Sequence, residues 1–243
     1  SSVHAHIYDG LITTNQGCAL DLDWGGTLHM FGGKVESTGT SYADHAIHIH
    51  TASLLVSGGE VSAIGGDGIN LMADSNDIRI TGGLIHSVNG NGLFNDNYGA
   101  TTHIAGGYIY SENACGVVTN EMTKLSITGG TIQAKSAEDG EDYSGLYVYY
   151  ESNVTITGGT ILSNGGPGIC NSGYVDIYGG EVHSDHGSGI VNWYDVYMHD
   201  GDISSDNGYG IENYSYLYMT DGKVHSAESV GIYNESDATL SGG

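Results

Sequence analysis

Three groups of side chains in this 243-residue chain have types and spacings that can do chemistry. The first is aromatic. Tyr147, Tyr149, Trp193, Tyr214 and Tyr233 occupy alternate, outward positions along the short apolar segments of the later repeats. Tyr174, Tyr197, Tyr216 and Tyr218 do so too, with Tyr150, Tyr178 and Tyr194 nearby, and the rings together are expected to form one aromatic face. Tyr occurs 18 times and Phe twice, a bias toward rings with a polar edge that suits a wet, stacking surface. Asp176, Asp195, Glu212, Glu235 and Asp237 are interleaved with the rings and can accept hydrogen bonds from sugar hydroxyls. The expected ligand is a glycan or polysaccharide. Two alternatives stand beside it: aromatic ladders that merely stabilise a thin sheet, and a patch that anchors a surface protein.

The second group is Asp21, Asp23, His48 and His50, two carboxylates and two imidazoles at matching places in consecutive repeats. Stacking puts His48 by Asp21 and His50 by Asp23, a donor set suited to a zinc-like ion. Plain His–carboxylate hydrogen bonding is the competing reading, because a flat sheet face rarely closes a tetrahedral site. Asp44 and His45 lie in the preceding turn. The third group is acidic turns. Glu138, Asp139, Glu141 and Asp142 crowd the longest repeat, and Asp74, Ser75, Asn76 and Asp77 crowd another. Oxygen-rich loops suit calcium, although the EF-hand spacing is missing and a solvated acidic loop explains them equally.

A fourth row, His86, Tyr110, Gln133, Leu162, His183, Ser204 and His225, lacks the paired carboxylates of a glycoside hydrolase. A polysaccharide lyase would need a cationic base and cations to neutralise a uronate. Arg79 is the single Arg, beside Asp77, and the four Lys are scattered. The expectation is therefore recognition without turnover, with lyase or hydrolase activity as the remaining alternative.

What positions these groups is a repeat. Gly-Gly or Asp-Gly followed one residue later by Ile, Val or Leu-Ile opens copies at residues 9, 32, 58, 82, 106, 129, 158, 179, 200 and 221. The last four intervals, ending at Gly242, are 21 residues each; the others run from 23 to 29. Counting from the dipeptide, positions 4 and 12 are apolar in every copy, as in Ile161, Val182, Ile169, Ile190 and Ile211. Positions 18 and 20 add an apolar pair, as in Val154/Ile156 and Val196/Met198. Alternation of this kind means short strands with one face buried. Position 6 is small throughout, position 11 is Gly from Gly68 onward, and position 14 is Asn in Asn95, Asn171, Asn192, Asn213 and Asn234. Gly at position 11 and in the dipeptide suits turns with positive φ. No segment sustains helical spacing. Three short strands per copy, stacked about 4.8 Å apart, predict an all-β, three-sided, single-stranded parallel β-helix of about ten coils spanning residues 1–243 as one domain.

The stretch GGTILSNGGPGICNSGYVDIYGGEV resembles repeats of right-handed parallel β-helix proteins on Gram-positive surfaces, within the pectate-lyase-like superfamily. That resemblance implies right-handed winding, a secreted or cell-surface setting, and frequent calcium. It is specific for architecture, since the repeated residues are structural ones.

Composition narrows the partners. With 29 acidic and 5 basic residues, net charge −24, a nucleic-acid or anionic-membrane surface is excluded as an expectation. No signal peptide or membrane span is legible. The three Cys do not form a disulfide framework: Cys18 and Cys115 lie four coils apart, and Cys170 faces outward on its strand. Free thiols in such a repeat suggest secretion into a reducing setting. The chain begins inside a coil and stops at a new dipeptide, so a piece of a longer secreted protein is expected. Bare solenoid ends would favour end-to-end self-association.

Overall fold

Apolar residues two apart, repeated every 21 to 29 positions, can all be buried only if the copies stack. The computed structural model describes residues 4–23, 25–72, 77–98 and 100–242, and in it they do stack, as a parallel β-solenoid of about ten turns. Asp74, Ser75 and Asn76 lie outside the described residues. Each turn has three sides. The second side, such as Ile169–Asn171, forms a ten-stranded parallel sheet; the first and third sides belong to a sixteen-stranded one.

The predicted register holds. Ile169, Ile190 and Ile211 stand directly over one another and are fully buried. Val154, Val175, Val196 and Leu217 make a second inner column, and Ile161, Val182, Ile203 and Val224 a third. Each fully buried side chain of this size contributes about 1.5–3 kcal/mol.

In five turns the expected three separate strands become two. In Ile78–Ser87, Thr101–Ser111, Lys124–Ala134, Tyr174–Ser184 and Asp195–Ser205, the third side runs into the next first side as one strand. It bends at the dipeptide. The second glycine supplies the bend through positive φ, +86° at Gly107. The first glycine, Gly106, is needed for clearance: a Cβ there would stand 2.4 Å from the Thr81 carbonyl oxygen of the turn below. Position 11 corrects the sequence expectation. Its glycines have no positive φ; a Cβ on Gly92 would lie 2.6 Å from the Gly116 oxygen, so close stacking excludes a side chain.

Two polar rows line the interior. Ser87, Ser111, Ser184 and Ser205 donate to the Gly66, Gly90, Gly166 and Gly187 carbonyls at 2.6, 2.7, 2.7 and 2.7 Å. Asn171, Asn192, Asn213 and Asn234 form the expected ladder, each Nδ2 donating to the next Oδ1 at 2.8, 2.6 and 2.6 Å. The same amides donate to the Asp195, Tyr216 and Asp237 carbonyls, which satisfies groups that burial would otherwise penalise.

Candidate binding surfaces on the outer wall

Inward residues of the second side alternate with one outward row. In stacking order it reads Asp21, His48, Asn70, Phe94, Val118, Tyr147, Cys170, Val191, Glu212 and Tyr233. The row is polar at its first end, apolar in the middle and acidic-aromatic at the other end. Two grooves lie along the first half, of 430 and 250 Å³, and share Asn91 and Phe94. A third, of 200 Å³, includes Asp139, Val191, Tyr209 and Glu212.

The extra residues of the longest turn reach over this row. They carry a single 3₁₀ turn, Glu141–Tyr143, and Glu141 is their anchor. Its carboxylate accepts from Trp193 Nε1 at 2.8 Å and from the Tyr147 hydroxyl at 3.4 Å. Tyr143 donates to Glu138 at 2.7 Å. Asp139 and Asp142 line separate grooves. The four acids are thus directed to different partners. The three-donor groups found among the described residues lie elsewhere.

This strap explains Cys170. Its side chain leaves the outer face, as expected, yet it is 0 % exposed because the strap covers it. Cys115 Sγ donates to the Asp142 carbonyl at 3.2 Å, and burial pushes its thiol up to about 12. Burial also raises the Cys170 thiol and the Tyr147 phenol, with Glu141 adding to both. All three cysteines are free. A covering strap was not legible in sequence; the acidic cluster marked an insertion without saying where it folds.

The aromatic residues divide between two faces. On the second side and its corner, Trp193 and Tyr214 stack on each other, 4.2 Å apart and 8° from parallel. The Tyr214 hydroxyl donates to Glu212, which with burial lifts the phenol to about 12. Tyr147 and Tyr149 lie 4.6 Å apart near the strap. The corner carries Tyr194, whose hydroxyl is 3.2 Å from that of Tyr174.

The third side differs. Tyr174, Asp195 and Tyr216 form one outward column, and Asp176, Tyr197 and Tyr218 the next. Ring and carboxylate alternate in both directions among Tyr174, Asp176, Asp195 and Tyr197, and the face ends in the two rings Tyr216 and Tyr218. Tyr197 lies 5.7 Å from Tyr216 and 6.3 Å from Tyr218, tilted 54° to each. These rings do not cover one another's faces as the Trp193–Tyr214 pair does. All six side chains are half-buried.

The Asp/His patch assembles as the register predicts. His48 Nδ1 is 3.3 Å from Asp21 Oδ1, and His50 Nε2 is 3.2 Å from Asp23 Oδ1. Asp44, however, is committed to backbone, accepting from Gly17 and Ser41 N–H groups at 2.6 and 2.8 Å. His45 Nδ1 accepts from the Asp67 N–H at 2.9 Å, and burial lowers its basicity.

The first-side row from His86 to His225 is a true column. His86 stacks on Tyr110 at 4.8 Å, and Lys135 Nζ sits 3.3 Å from the Tyr110 centroid while pairing with Glu112. Four of the five cations are in ion pairs: Lys34, Arg79, Lys135 and Lys223. Sequence reasoning missed a second cluster, His183, Asp185 and Asp206. The 21-residue offset between the two aspartates was the available signal.

Comparison of the chain with protein-family models, with curated proteins and with solved structures finds no match to any of them.

Proposed function

We propose that this solenoid binds carbohydrate without turning it over, through the third-side face of Tyr174, Asp176, Asp195, Tyr197, Tyr216 and Tyr218. The observation that carries the reading is a cluster of tilted tyrosines, Tyr197, Tyr216 and Tyr218, bordered on adjacent turns by the carboxylates Asp176 and Asp195. A pyranose ring presents an apolar face bordered by hydroxyl donors, which is the complement of that pattern. Net charge −24 selects a neutral or amino-bearing polysaccharide over a uronate. The repeat's resemblance to β-helix proteins of the pectate-lyase-like superfamily supports a secreted or cell-surface setting. Calcium is a candidate helper, bridging ligand to acidic side chains.

A glycan array probed with and without calcium tests this. For a sugar that binds, Tyr197→Ala and Tyr218→Ala each weaken affinity about tenfold, the value of one stacking contact. Trp193→Ala, around the corner, changes it less than about twofold; a large loss there relocates the site to the second side. Silence across the array favours the other reading, a structural or adhesive stalk that docks a surface protein through the Trp193–Tyr214 pair.

A further inference from the structure

We infer that Asp21, His48 and His50 form a binding site for a divalent transition ion of the zinc class. The site is on the second side, so it stands or falls independently of sugar binding.

The geometry comes from the strand. Residues two apart on one strand share a face, about 6.6 Å apart along the backbone, close enough for two imidazoles to share one ion. His48 and His50 have that spacing, with ring centroids 4.3 Å apart. Asp21 is the direct stacking partner of His48 on the turn below. One donor atom from each of the three residues lies within 4.8 Å of the other two.

Tetrahedral zinc holds its ligands about 3.3 Å from one another. Asp21 Oδ1 and His48 Nδ1 already stand 3.3 Å apart, and the His50 donor, within 4.8 Å of the other two, would close on them by about 1.5 Å at most, within reach of side-chain rotation. The flat-sheet objection is weakened because His50 and Asp23 sit one residue beyond the strand ends at Ile49 and Leu22. There the chain turns, and Thr51 ties the two turns together by donating to the Asp23 carbonyl and accepting from the Gly25 N–H.

Asp23, 3.2 Å from His50 Nε2, is placed to orient that imidazole, as carboxylates behind metal-bound histidines do. Two nitrogens and one oxygen favour zinc-class ions over calcium, which takes six to eight oxygens. Three protein donors leave a position open. His48 also lines the 430 Å³ groove with His45, Asp67 and Asn70, so an ion here borders a cleft.

The test is zinc titration of the chelator-dialysed protein by calorimetry, in a His183→Gln background that removes the other three-donor cluster. One tight zinc per chain is expected, not displaced by millimolar calcium. His48→Gln with His50→Gln weakens binding at least about 100-fold, and Asp23→Asn about tenfold. Unchanged affinity in the double variant, or displacement by calcium, overturns the proposal. A readout on the parent chain guards against a misfolded variant. Zinc should shift the imidazole ¹⁵N resonances of His48 and His50; shifts confined to other histidines refute the site.

Discussion

A single side chain in this protein acts through its copies. Asn192 is fully buried, donates to Asn213 and to two carbonyls, and accepts from Asn171. Asn192→Ala leaves several of these groups unpaired and should cost about 2–3 kcal/mol in urea unfolding. Asn234→Ala, at the exposed end of the same ladder, should cost less than about 1 kcal/mol. Equal losses would mean that the ladder is not cooperative. Cys115 gives a pH signature. Its folded thiol is raised to about 12 from 9.0, so on alkalinisation the unfolded chain ionises first. The stability linked to it is whole below about pH 9 and is lost as pH climbs toward about 12. Urea midpoints should fall across that window, and Cys115→Ala should lessen the fall. The ladder was legible because identical letters recur at a fixed offset. The thiol's burial was not, since it depends on where a neighbouring insertion lands.

At the scale of the element, the dipeptide and the strap do different work. Gly106–Gly107 bends a continuous strand, and the second residue holds φ +86°. Gly107→Ala puts an L side chain in that region with its Cβ 3.0 Å from Gly82 backbone atoms. A loss of about 1–3 kcal/mol is expected, with a lowered melting temperature. A neutral outcome would show that the bend relaxes into a loop. The strap exists because its turn has 29 residues where later ones have 21. A wall of stacked strands absorbs no extra length, so the surplus must leave the sheet. Its landing place is chosen by partners far along the chain, Glu141 to Trp193 above all.

Across the whole molecule, the backbone ladder of the described residues joins neighbouring turns, while charge acts over longer distances. Net charge is −24, and most of the few cations are already paired. Raising ionic strength from 0.01 to 0.15 M shortens the screening length from about 30 Å to about 8 Å. Self-repulsion should fall and the melting temperature should rise by a few degrees, measured by circular dichroism. A flat response would mean that the carboxylates are locally compensated. Nearest-neighbour coupling also explains why burial fades at the terminal strands His4–Ile7 and Ala238–Leu240, each of which has a partner on one side only.

The chain by itself determined the solenoid, its register and every outward row, because a repeat with fixed offsets leaves one way to bury its apolar beats. It also placed His48 over Asp21, since stacking is a matter of counting. Tertiary structure decided which faces the rows share. It separated Trp193 and Tyr214 from the Tyr197 face, turned the acids of the long repeat into a strap, and hid Cys170 beneath it. The physical reason is that ring tilt and loop landing depend on side-chain packing across turns, whereas register depends only on the backbone ladder and the alternation of buried and exposed positions.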